Sequence, residues 1–178
     1  MRLGADGWLT GVRRIRSPNY DSRPAGAAVE LLVIHNISLP PGKFGGKGIE
    51  QLFLNMLDGA EHPYYAGLEG LKVSAHFLIR RDGRIVQFVP CTKRAWHAGV
   101  SNWQGRERCN DFSLGIELEG TDEQPFEQEQ YDALAVLVRR LRRSFPLRSI
   151  VGHSDIAPGR KSDPGPCFDW AKFRELAR

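Results

Sequence analysis

A single α/β domain, with a central sheet covered by helices, is predicted by three stretches of the chain. Val29 to Ile34 is apolar except for Glu30, as expected for a strand buried on both faces. Phe112 to Gly120 alternates: Leu114, Ile116 and Leu118 point one way, and Gly115, Glu117 and Glu119 the other. Glu127 to Arg143 places Tyr131, Leu134, Ala135, Leu137, Val138 and Leu141 on one helical stripe with charges opposite, which suits a helix laid on a sheet. At 178 residues the chain is long enough to bury one core without disulfide staples.

The remaining elements follow in order. Residues 1–28 are rich in Arg, Pro, Gly and Asn and read as an extended arm wrapped on the domain formed by residues 29–178. The segment 37–73 is a long excursion with one short amphipathic helix, Ile49 to Leu57; excursions of this length often cover a site. His62 precedes a proline there and reads as a surface residue rather than a ligand. Val73 to Arg80 and Arg84 to Val89 flank the turn Arg81-Asp82-Gly83, a β-hairpin signal, and His76 inside it suits packing or a supporting hydrogen bond. Trp103 reads as packing, while Trp96 fits packing and sugar recognition equally well. Leu147 to Val151 is a last short strand, and Phe168 to Leu176 a closing helix capped by Asp169.

Composition narrows the function classes. A hydrophobic fraction of 41% and a charged fraction of 26% exclude disordered and collagen-like chains. The net charge of +4 is modest, and the run Arg139-Arg140, Arg142-Arg143 falls in the helical pattern, where it reads as a solvated face rather than a nucleic-acid footprint. An anionic small molecule is the better match. Met1 to Thr10 lacks a secretory apolar run and no stretch is long enough to span a bilayer, so the protein is expected to stay where it is made, away from membranes. Cys91, Cys109 and Cys167 form no Cys-x-x-Cys pair and read as free thiols of a reducing compartment.

Chemistry concentrates in Gly152 to Pro166, read as a Pro- and Gly-restrained loop carrying His153, Lys161 and Asp163. His153 and Asp163 read as metal ligands. His35, at the end of the first buried strand, is either a satisfied core histidine or a binding group under loops. Taken together, two imidazoles and one carboxylate match catalytic zinc, which keeps a further position for water and lowers its pKa to roughly 7. Amide hydrolysis also needs a proton carrier and a cation for the oxyanion. Glu117, a carboxylate in mid-strand beside a glycine, suits the first, and Lys161 the second. Glu119, nearer the strand end, reads as solvated.

Val33-Ile34-His35-Asn36, Ser74-Ala75-His76-Phe77-Leu78-Ile79, Arg94-Ala95-Trp96-His97-Ala98-Gly99, Gly115-Ile116-Glu117-Leu118-Glu119-Gly120 and Gly152-His153-Ser154-Asp155-Ile156-Ala157-Pro158-Gly159-Arg160-Lys161 occur in this order. Together they resemble the zinc-dependent N-acetylmuramoyl-L-alanine amidases of the peptidoglycan-recognition type, and among these the cytoplasmic bacterial branch acting on 1,6-anhydro-muropeptides in cell-wall recycling. The resemblance runs from about residue 8 to the end. It implies a central mixed β-sheet flanked by helices, zinc on His35, His153 and Asp163, and Glu117 and Lys161 as catalytic partners. The protein is expected to act as a monomer on a small-molecule substrate. The resemblance further implies Asn36, Trp96, Arg108 and Arg160 as contacts for sugar and peptide carboxylates; Lys72 joins them at a position where relatives carry other residues. In bacteria using such a pathway, removal of the anhydro-muropeptide keeps an inducible β-lactamase silent. A non-catalytic recognition module would lack a zinc ligand or the carboxylate, whereas this chain has all five positions.

Overall fold

The computed structural model describes residues 1–178. In chain order its elements are β1 (Arg13–Arg14), β2 (Tyr20–Asp21), β3 (Leu31–Ile37), α1 (Gly48–Phe53), α2 (Pro63–Ala66), β4 (Phe77–Ile79), β5 (Ile85–Gln87), β6 (Arg94–Ala95), β7 (Asn102–Trp103), β8 (Arg106–Glu107), β9 (Ser113–Glu119), α3 (Gln128–Arg142), β10 (Ser149–Gly152), α4 (His153–Ile156) and α5 (Trp170–Leu176). A six-stranded sheet runs in the order β1-β5-β4-β9-β3-β10. Only β4 and β5 pair antiparallel in it, through the expected hairpin, so the sheet is mixed.

The two faces of β3 and β9 separate two kinds of surroundings. Leu32, Ile34, Leu114, Ile116 and Leu118 join the largest core cluster with the α3 residues Tyr131, Leu134, Leu137, Val138 and Leu141, the stripe read from the sequence. Glu127 and Gln130 form a capping box that starts α3, satisfying backbone N–H groups the helix cannot pair itself. On the opposite face the register sets His35 beside Glu117, and Glu117 beside Leu78 of β4. The strand-end placement of His35 is corrected by this pairing: β3 continues through Asn36 and Ile37, which still pair with Leu118 and Glu119.

Other elements are shorter than their sequence signals. The helix over 49–57 ends at Phe53 because Asn55 takes a left-handed φ of 59° and the Met56 N–H turns back to the Gln51 carbonyl at 2.8 Å. The stretch after Gly152 is a helical turn rather than a loop at first: Asp155 accepts the Gly152 N–H at 2.7 Å, and the Ala157 N–H reaches the His153 carbonyl at 3.0 Å. In the arm, β1 pairs with β5 as the sheet edge, β2 pairs with β6, and the Ser17 hydroxyl donates to the Phe53 carbonyl. Asp169 caps α5 by accepting the Lys172 N–H at 2.9 Å, as expected. The arginine run of α3 is not merely solvated, since Arg139 and Arg142 donate to the Leu176 and Ala177 carbonyls, the orphan acceptors at the end of α5.

Candidate metal centre and cleft

Three elements deliver one cluster. His35 comes from the second half of β3, His153 opens α4 directly after β10, and Asp163 lies on the chain beyond α4. Backbone contacts tie the last two together: the Ser154 N–H donates to the Asp163 carbonyl at 3.0 Å, and Pro164 packs so closely on Gly152 that a Cβ there would lie 2.8 Å from its ring. Glycine is therefore required at 152 by close approach.

His35 Nδ1 lies 3.0 Å from His153 Nδ1 and 3.0 Å from Asp163 Oδ2, and His153 Nδ1 lies 3.1 Å from the same oxygen. Three potential ligand atoms within 4.8 Å of one another, two imidazole nitrogens and one carboxylate oxygen, fit a metal ion. No cysteine joins them; Cys91 and Cys109 are buried elsewhere and Cys167 is half-buried. Burial holds His35 neutral, its pKa lowered to about 4 despite the hydrogen bond with Asp163 that pulls it up. Burial also works to raise Asp163, but the adjacent His153 and His35 imidazoles outweigh it and hold the carboxyl below its ordinary range. Neutral imidazole and ionised carboxylate are the forms that bind metal.

Glu117 faces the same cleft, nine-tenths buried. Burial pushes its pKa well above the usual carboxylate range, the Asp163 charge adds to this, and the Lys161 ammonium opposes it. Its Oε2 is buried with no hydrogen-bond partner, an exception to the rule that buried polar atoms are paired. Lys161 is exposed at the cleft lip. The cleft is about 580 Å³, and its lining includes Leu39, Tyr64, Leu68 and Leu71 as well as the polar Thr121, Asp122 and Glu123.

The other candidates are distributed around it. Trp96 lines the cleft, half-buried, with its indole Nε1 unpartnered. Asn36 also lines it and donates to Asp122 Oδ1 at 2.6 Å and to the Pro164 carbonyl at 3.1 Å. Arg160 borders both the cleft and a neighbouring hollow that contains Arg108, and it donates to the Ala98 and Val100 carbonyls. Arg108 is thus set outside the cleft proper. So is Lys72, in a small hollow that shares Leu52, Leu68 and Leu71 with the cleft.

Two residues stand differently from what the sequence suggests. Glu119 is not solvated: it is 1% exposed, pairs with Arg80 Nη1 at 2.8 Å, and accepts N–H groups from Gly45 and Arg81. His97 carries no local signal of a role in the sequence, yet its Nδ1 lies 3.0 Å from His35 Nε2. Its ring occupies the room left by Gly115, where a Cβ would stand 2.5 Å from the imidazole Cγ. The missing side chain at Gly115 was the available signal, but it pointed to Glu117 until the fold showed what filled the gap. His76 is the supporting residue expected: its Nδ1 accepts the Gly115 N–H and its Nε2–H donates to the Lys93 carbonyl.

A mixed sheet carrying a His-His-Asp cluster with a buried carboxylate beside it defines the class of metal-dependent hydrolytic sites. The family described as N-acetylmuramoyl-L-alanine amidase matches residues 25–166, and the chain belongs to that family. It is 59% identical over 172 residues to the 1,6-anhydro-N-acetylmuramyl-L-alanine amidase AmpD of Escherichia coli (strain K12), covering 96% of this chain and 94% of that protein. The crystal structure of a selenomethionine derivative of AmpD superposes with a TM-score of 0.97 at 57% identity over the whole of both chains. A more distant match, with a TM-score of 0.62 and 34% identity, covers 86% of this chain and 60% of the other. It is the E. coli amidase AmiD in complex with the substrate anhydro-N-acetylmuramic acid-L-Ala-D-gamma-Glu-L-Lys.

Proposed function

We propose that this protein is a zinc-dependent amidase that cuts the bond between the lactyl carbonyl of 1,6-anhydro-N-acetylmuramic acid and the L-alanine of a stem peptide, in peptidoglycan recycling. The observation that carries the reading is the convergence of His35, His153 and Asp163 beside the unpartnered Oε2 of Glu117 in one cleft. Identity to an anhydro-muropeptide amidase over nearly the full length of both chains supports the substrate class.

His35, His153 and Asp163 would hold the zinc, which when bound supplies Lewis acidity toward water and the scissile carbonyl. Glu117 takes the proton of the attacking water and returns it to the leaving amine of L-alanine. Burial raises its pKa above the usual carboxylate range, which makes its protonated form easier to reach for the return of the proton to the amine. The Lys161 ammonium stands at the lip to balance the developing oxyanion. Trp96 offers an aromatic face to the sugar and Asn36 a polar edge. Arg160 and Arg108, joined by their shared hollow, receive stem-peptide carboxylates, and Lys72 adds a cation in the small hollow that shares Leu52, Leu68 and Leu71 with the cleft. No helix is long and apolar enough to cross a membrane, and the free thiols suit the bacterial cytoplasm.

The test is mass spectrometry of anhydromuramoyl-tripeptide after incubation with zinc-loaded protein. Free tripeptide and anhydromuramic acid are expected, and Asp163→Ala is expected to lose both zinc and activity. Zinc-loaded wild type that binds the substrate yet leaves it intact would return the protein to the binding-module reading.

A further inference from the structure

His35 and His153 both turn Nδ1 toward the metal cluster, but their outer nitrogens meet different partners. His153 Nε2 lies 3.1 Å from the Ala98 carbonyl. A carbonyl only accepts, so the proton sits on Nε2 and the lone pair on Nδ1. His35 has no such unambiguous partner. Its Nε2 faces His97 Nδ1 at 3.0 Å, an atom that donates or accepts according to tautomer. Its inner Nδ1 lies 3.0 Å from Asp163 Oδ2, and a carboxylate there draws the proton to the side where a metal needs the lone pair.

The surroundings of His97 allow it to accept at Nδ1. Its Nε2 lies 3.1 Å from the Ser113 hydroxyl, which accepts as readily as it donates. Asn110 Oδ1 takes the backbone N–H groups of both His97 and Ala98, at 3.1 and 2.9 Å, fixing the segment that serves both ligands. The ring is buried and seated over Gly115, where no other residue type leaves space.

We propose that His97 is a positioning residue of the metal centre: it donates from Nε2 to Ser113, accepts the His35 Nε2–H at Nδ1, and so keeps His35 Nδ1 unprotonated against the pull of Asp163. The inference rests on the assignment of His35, His153 and Asp163 as zinc ligands. It differs from a packing role, which phenylalanine would fill, and from a substrate contact, which would alter KM and leave zinc affinity alone.

The experiment compares wild type, His97→Phe, His97→Asn and Ser113→Ala by chelator competition for zinc and by nitrogen chemical shifts of His35 in metal-free protein above pH 7. Denaturation midpoints of the metal-free proteins confirm that each is folded. His97→Phe is expected to bind zinc about 10–100-fold more weakly, the usual cost of losing a partner behind a ligand, and to shift His35 to its Nδ1–H form. His97→Asn, which places an oxygen acceptor near the former Nδ1, is expected to recover most of that loss. Ser113→Ala is the milder change and should weaken zinc several-fold. Wild-type zinc affinity and an Nε2–H His35 in both His97→Phe and Ser113→Ala overturn the proposal. If wild type itself binds no zinc, the ligand assignment fails instead, and the His35 tautomer in metal-free protein still decides the role of His97.

Discussion

On β9 the two faces of the sheet can be compared residue by residue. Leu114, Ile116 and Leu118 pack into an apolar cluster with α3 and the adjoining strands, where an apolar side chain of similar volume would serve. Ser113, Gly115, Glu117 and Glu119, equally buried, each have a specific partner or purpose: Ser113 touches His97, Gly115 makes room for it, and Glu119 holds Arg80. Glu117 alone keeps an unpaired oxygen. The helix-side face is stabilised by area removed from water, which is tolerant of detail. The cleft face is held by hydrogen bonds whose loss leaves a buried polar group stranded, so it is tolerant of almost nothing.

The comparison breaks most sharply at the two glutamates. Glu117→Gln is expected to lower kcat by about 10²–10⁴-fold, the range for a general acid–base group, while zinc content stays at wild-type level. Thermal stability should not fall, because the change removes a buried carboxyl that burial already disfavours. A variant that lost both activity and stability would place Glu117 with the structural residues. Glu119→Ala, two positions on, should cost stability by roughly 3–5 kcal/mol in urea unfolding, since it strands one arm of the buried Arg80 guanidinium. Its metal-site chemistry should survive once folded.

Leu134→Ala sharpens the contrast from the other face. About 2–5 kcal/mol of stability should go, with zinc affinity unchanged, because the cavity lies across the sheet from His35. A smaller effect is set by pH. Burial lowers the pKa of His76 to about 3, while unfolded histidine titrates near 6.5. The unfolded chain takes up this proton first, so the stability contribution is complete above pH 6.5 and is lost as pH falls toward 3. For His76 this amounts to about 2 kcal/mol between pH 7 and 5, and His76→Gln should show a correspondingly flatter dependence of its urea midpoint.

Local signals survived folding where a single element carries them. The α3 stripe, the hairpin at Arg81-Asp82-Gly83 and the Asp169 cap are set by periodicity and turn chemistry within a few residues, and they stand where they were read. Element ends were less legible: α1 stops at Phe53 because of the backbone at Asn55, and β3 runs on past His35 because β9 continues to pair with it. Glu119 and Glu117 share a face and a residue type, and no local pattern says that one meets an arginine thirty-nine positions away while the other meets none.

By itself, then, the chain order determined the alternation of β9, the helical cover, and a set of residue types able to hold a metal and move a proton. Those are properties of spacing along a backbone. Only the tertiary structure decided that His35 Nδ1, His153 Nδ1 and Asp163 Oδ2 fall within about 3 Å of one another, that His97 stands behind His35, and that Arg108 and Lys72 sit in side hollows. The physical reason is that ligand distance and hydrogen-bond partnership depend on strand register and on which loops pack together. Both are settled by contacts between residues more than a hundred positions apart, such as His35 and His153.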